Sequence, residues 1–69
     1  MSVVKIIEII SEGKTIEEAV ESAIKHASQT IKDIHQIDIK HIHAKVENNR
    51  VTKYRIDAKI SFIIHPSHS

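Results

Sequence analysis

The sequence predicts an α+β domain in the order β-α-β-β, and three observations carry that expectation. At positions 54–64 every even residue is apolar: Tyr54, Ile56, Ala58, Ile60, Phe62 and Ile64. The odd positions begin Arg55, Asp57, Lys59 and Ser61. A period of two is the signature of a strand with one buried face. Between Ile16 and Ile34 the apolar residues instead recur at helical spacing. Finally, Asn48-Asn49 separates two β-like runs, as the central pair of a type I′ hairpin turn does.

The first strand is expected over residues 3–10. This run is β-branched and mostly apolar, with Lys5 and Glu8 as the exceptions. Such density predicts a central strand covered on much of both faces. Ser11-Glu12-Gly13-Lys14 then connects to the helix, and Gly13, the only glycine, is expected to supply the turn.

Thr15-Ile16-Glu17-Glu18 fits a capping box, with Thr15 as N-cap and Glu18 three residues on. Two carboxylates in the first turn also suit the positive end of the helix dipole. Ile16, Ala19, Val20, Ala23, Ile24, Ala27, Ile31 and Ile34 form one stripe, opposite Glu17, Glu18, Glu21, Ser22, Lys25, Gln29 and Lys32. The pattern predicts a helix of about five turns laid on a sheet.

The second strand is expected over 35–47, and the Asn48-Asn49 turn sets its register. Glu47 then opposes Arg50, Val46 opposes Val51, Ile39 opposes Ala58 and Ile37 opposes Ile60. An uninterrupted ladder puts Ile37, Ile39, His41 and His43 on the helix side with Tyr54, Ile56, Ala58 and Ile60. Gln36, Asp38, Lys40, Arg55, Asp57 and Lys59 fall on the other side, together with an apolar cluster of Ile42, Ala44, Val46 and Val51. A single helix cannot cover both faces. An uncovered apolar cluster on a small chain predicts an interface between copies.

Composition narrows the function classes. The 69 residues are one domain's worth, with 10 Lys plus Arg against 9 Asp plus Glu and a formal net charge of +1. The basic residues are scattered, and Tyr54 and Phe62 are the only aromatic side chains of the Phe, Tyr, Trp set. Neither property suits nucleic-acid binding. No cysteine is present, so disulfides, thiolate metal sites and a Cys nucleophile are excluded. The apolar start is short and interrupted by Lys5 and Glu8, which is no signal peptide, and no stretch approaches transmembrane length. A cytoplasmic location without membrane contact is the expectation, with residues 1–64 as the domain and 65–69 as a disordered polar tail.

Six histidines raise a metal reading. His41 and His43, two apart on a strand, share a face and make a usable pair. On the helix side, with no third ligand, they are poorly placed for a metal, and no metal site is expected within the chain; His26 and His35 are read as packing or solvated groups. Glu17, Glu18 and Glu21 are read as a cap and a solvated helix face rather than a calcium site. Asp38 and Asp57 lie among Lys40, Lys53, Arg55 and Lys59, which suits ion pairs between copies better than acid–base catalysis. No Gly-rich phosphate loop or nucleophile motif is present, and the chain is not expected to be an enzyme.

One set of segments spans nearly the whole chain: Val3-Val4-Lys5-Ile6-Ile7-Glu8-Ile9-Ile10, Ile16-Glu17-Glu18-Ala19 with Ala23 and Ala27, Thr30-Ile31-Lys32-Asp33-Ile34, Lys45-Val46-Glu47-Asn48, and Tyr54-Arg55-Ile56-Asp57-Ala58-Lys59-Ile60-Ser61-Phe62. In order, spacing and length these resemble the dodecin family. The resemblance implies a β-α-β-β protomer whose three-stranded antiparallel sheet partly wraps one helix, with twelve copies closing into a hollow homododecamer. It also implies a non-enzymatic protein that binds and stores flavin (riboflavin, FMN or FAD) in pockets between copies. By the same resemblance, Gln36 stands where the family has its ring-stacking Trp, and Arg55 where it has a ring-edge glutamine. The implied pocket residues are therefore Gln36 and Arg55, with Asp38 and Lys45 nearby. The Trp-lacking pattern keeps a second expectation open: a flavin-free shell that is structural or binds ions such as calcium or another metal.

Overall fold

The computed structural model describes residues 3–65. Its elements are β1 (Val3–Gly13), α1 (Ile16–Ala27), β2 (Ile34–Glu47) and β3 (Arg50–Ile64). All strand pairs are antiparallel, and the sheet order is β1-β3-β2. The β-α-β-β order and the three-stranded antiparallel sheet are as the sequence predicts. The position of β1 is not. It is an edge strand and β3 is central, and Val4, Ile6 and Ile10 on one face of β1 are exposed. The apolar density of β1 therefore reflects two apolar faces of which the helix covers one.

The helix forms where the sequence places its start. Thr15 Oγ1 accepts from the Glu18 amide at 3.0 Å, and Glu18 Oε1 accepts from the Lys14 amide at 3.1 Å. The two bonds satisfy amides that the helix itself leaves free. α1 ends at Ala27, well short of Ile34, so the expectation of about five turns is too long. The Ser28 hydroxyl donates to the Lys25 carbonyl at 2.9 Å, and the Thr30 and Ile31 amides both turn back to the Ala27 carbonyl. The Ser28 side-chain bond competes with helix propagation, and the Thr30 bond tightens the last turn to i→i−3. Ile31 and Ile34 still pack where the stripe predicts, against Ala23, Ala27 and Ile60. They reach that cluster from the connection and from β2 rather than from the helix.

A ridge of alanines lets the helix lie close to the sheet. Ala19, Ala23 and Ala27, spaced by four, are all buried. Ala19 meets Ile56 and Ala58, and Ala23 and Ala27 meet Ile60. Ile56 and Ile60 are fully buried, each contributing about 1.5–3 kcal/mol relative to exposure. Gly13 does not make a turn: it ends β1, and its φ is not positive. An added Cβ there would lie 2.6 Å from the Ala19 nitrogen and 2.9 Å from the Glu18 Cβ. Glycine is required by the seat of the helix N-terminus.

The hairpin turn is as predicted, with Asn48 and Asn49 at φ 53° and 64°. Its register is interrupted. Val46 pairs with Val51 and Lys45 with Lys53, leaving Thr52 extra on β3. Ile39 pairs with Ala58 and His41 with Asp57, leaving Lys40 extra on β2. These bulges correct the face assignment. Residues directly opposite share a face, so Ile42, opposite Ile56, and Ala44, opposite Tyr54, belong to the helix side. His41, opposite Asp57, and His43, opposite Arg55, belong to the helix-free side. The parity switch in the sequence is thus the mark of an added residue, not of a strand buried on alternate faces. Of the tail expected at 65–69, His65 approaches Asp33, with Nε2 3.2 Å from Oδ2. Residues 66–69 lie outside the described residues.

Candidate functional site

The helix-free face of the sheet gathers the polar side chains. Row by row across β1, β3 and β2 it carries Ile6, Ser61 and Gln36, then Glu8, Lys59 and Asp38, then Ile10, Asp57 and His41, then Glu12, Arg55 and His43. Lys53 and Lys45 follow toward the hairpin turn. All four sequence-predicted site residues are on this face, in two groups. Gln36 Nε2 donates to Asp38 Oδ1 at 2.8 Å. Arg55 and Lys45 are neighbours at the other end. Gln36 sits opposite Ser61, six residues along β3 from Arg55, or about 20 Å at the usual rise. One protomer therefore does not bring Gln36 and Arg55 onto one small ligand.

Between the two groups lies an open groove of about 620 Å³. Glu8, Ile10, Lys40, His41, Asp57 and Lys59 contribute to its lining. Asp57 makes the ion-pair approaches in this region. One carboxylate oxygen faces two imidazoles, at 3.7 Å from His41 Nδ1 and 3.9 Å from His43 Nε2. The other oxygen, Oδ1, is buried with no hydrogen-bond partner. An unsatisfied buried acceptor costs about 1–3 kcal/mol. The straight register hid this constellation. It set His41 and His43 against the helix without a third group, whereas the Lys40 bulge turns both toward Asp57. Among the described residues, no group of three or more His, Cys, Asp or Glu side chains is arranged to hold a metal ion.

Toward the hairpin turn the face becomes cationic. Lys53 Nζ lies 2.9 Å from Glu12 Oε1. The hydrogen bond from Lys53 holds the Glu12 carboxyl below the usual carboxylate range, with the charge of Lys53 next and those of Lys45 and Arg55 adding to it. At the other end Lys59 Nζ and Glu8 Oε2 are 3.9 Å apart. Both pairs are solvent-accessible and contribute little to stability. They are indicators of the local field.

With this geometry in place, comparison with known proteins identifies the lineage. The family model described as Dodecin matches residues 3–65. The chain belongs to the dodecin family. No curated protein matches it by sequence. Among solved structures, the tt0972 protein of Thermus thermophilus superposes with a TM-score of 0.88 at 19% identity, over 97% of this chain and 100% of that one. The dodecin of Streptomyces coelicolor superposes at 0.86 with 19% identity, over 96% of each chain. These two similarities establish the dodecin fold. A third structure, from Mycobacterium tuberculosis and described as a calcium-chelating immunodominant antigen, calcium dodecin, matches at 0.77 with 28% identity over 97% of each chain. Among the described residues, no helix is long and apolar enough to cross a membrane.

Proposed function

We propose that this dodecin is a non-catalytic, cytoplasmic ligand-storage protein whose copies close into a homododecamer and hold a flavin between sheet faces. The observation that carries the reading is the position of Gln36 and Arg55, on one face but about 20 Å apart. A two-fold contact sets residue i of one copy against residue j of the next, and j against i. Two copies meeting with their helix-free faces antiparallel can therefore bring Gln36 of one to Arg55 of the other. Arg55 supplies a planar cation that stacks on an isoalloxazine ring or donates to its carbonyl edge. Gln36 supplies amide hydrogen bonds. Neither replaces an aromatic plane, so the flavin is held more weakly than by a site with stacking indoles. A stacked aromatic ring is typically worth about 1–3 kcal/mol.

The test is a fluorescence titration of riboflavin and FMN with the assembled protein, because stacking quenches flavin emission. Saturable quenching is expected for the wild type. Gln36→Trp is expected to tighten it by roughly tenfold to a hundredfold, as one added stacking partner implies. Unquenched emission with both proteins, at protein concentrations well above micromolar, rules the flavin out. The calcium-binding relative then makes a calcium titration of the same protein the next measurement.

A further inference from the structure

The formal charge of the whole chain is +1, yet it is not spread evenly over the helix-free face. The row of Glu8, Lys59 and Asp38 alternates in sign. Beyond Asp57 the balance fails. Lys45, Arg50, Lys53 and Arg55 are met there by two carboxylates, Glu12 and Glu47, giving four minus two, or +2, against −1 for all other residues together. Lys45 and Lys53 are directly opposite on adjacent strands, a like-charge placement that a bare sheet disfavours. The Thr52 bulge sits beside this pair, and bulges re-aim the side chains around them. Glu12 is already engaged by Lys53 at 2.9 Å, which leaves Lys45 and Arg55 with no carboxylate within ion-pair distance among the described residues.

We propose that this end of the sheet is a phosphate-binding site, with the Arg55 guanidinium as a two-pronged donor and the Lys45 and Lys53 ammoniums as flanking charges. The recognised chemistry is a phosphate monoester or a pyrophosphate. The inference deepens the flavin reading, because a ring stacked at Arg55 would carry its phosphate toward Lys45 and Lys53. That phosphate can belong to the flavin or arrive as a free anion. A competing occupant is the Glu8 and Asp38 carboxylates of a neighbouring copy, which would neutralise the same cations.

The experiment is calorimetric titration of the assembled protein at low ionic strength with inorganic pyrophosphate, then with FMN and riboflavin. Pyrophosphate is expected to bind, and Lys53→Gln to weaken it on the order of three- to tenfold, as loss of one charge partner implies. Lys53→Arg should restore it, and added salt should weaken it as exposed charges become screened. FMN preferred over riboflavin, with the preference lost in Lys53→Gln, places the phosphate on the flavin. Equal affinity for the two flavins with pyrophosphate bound identifies a free-anion site. Pyrophosphate binding without flavin binding leaves this site standing while the flavin reading falls. Absence of pyrophosphate binding, or equal affinity in Lys53→Gln, overturns the proposal. If Lys53→Gln also loosens the assembly while wild type ignores pyrophosphate, the cations serve the neighbouring copy instead.

Discussion

Gly13 is the residue on which the helix-to-sheet distance depends. It adopts no left-handed conformation, so alanine has no backbone strain to meet there. The obstacle is spatial. The new methyl carbon would lie 2.6 Å from a backbone nitrogen of the first helical turn. A backbone atom cannot swing aside as a side-chain tip does, so α1 must lift from β1 at its N-terminus and loosen Ala19 from Ile56 and Ala58. Overpacking of this kind costs about 1–3 kcal/mol. Gly13→Ala is therefore expected to lower the denaturant midpoint at fixed protein concentration by that amount. An unchanged midpoint would show that the helix does not rest on β1 at this point. A lone glycine between a strand and a capping box reads as a turn in the sequence. Its true reason, a close approach by a segment five or six residues on, has no local signature.

At the scale of elements the decisive features are two of the three register shifts in the β2–β3 ladder, those at Lys40 and Thr52. Hydrophobic period, capping box and Asn-Asn turn each act within a few residues, so α1, the hairpin and the end-pairings Glu47–Arg50, Ile37–Ile60 and Ile39–Ala58 are all legible from the sequence. The helix stops early because Ser28 and Thr30 bond locally, which the apolar stripe does not record. A bulge is visible only as a break in parity, and a break in parity also fits a strand buried on alternate faces. That ambiguity hid the His41–His43–Asp57 constellation and set Lys45 on the helix side with the two histidines, while leaving Gln36, Asp38 and Arg55 on the correct face. The bulge reading has a sharp consequence. If Lys40 is the extra residue, removing it leaves Ile39 inward, His41 outward and Ile42 inward in plain alternation, still opposite Ala58, Asp57 and Ile56. Deletion of Lys40 is expected to leave the protomer folded, with the cross-strand amide contacts of His41 to Ala44 preserved by NMR. The local bend that a bulge imposes is expected to be lost. Loss of those contacts, with Ile42 moved off the helix side, would show that Lys40 belongs to the regular ladder.

At the scale of the whole molecule, the protomer is more extended than a compact domain of its length. Its radius of gyration is 14.7 Å and its longest dimension 57 Å, whereas a compact domain of this length has a radius near 11 Å. The cause is a mismatch of lengths. The 12 residues of α1 span about 18 Å, and the 15 residues of β3 about 50 Å. The hairpin end therefore runs on past the helix N-terminus with its helix-side residues uncovered: Ile42, Val46 and Val51 are 50%, 61% and 51% exposed. Because the bulges keep these residues on the same side as the core, the patch continues the core rather than lying on its reverse. The natural cover is the equivalent surface of another copy, which extends one apolar layer across the contact. Val46→Lys combined with Ile42→Lys should then reduce the particle mass measured by light scattering. Both changed positions are at least half exposed and neither is a core residue, so the far-ultraviolet spectrum should be retained at high protein concentration. Glu21→Lys, on the solvated side of α1, is the control and should leave the mass unchanged. An undiminished mass in the double variant would mean that this patch does not join the copies, and the exposed Val4, Ile6 and Ile10 of the β1 edge would be the next apolar surface to change.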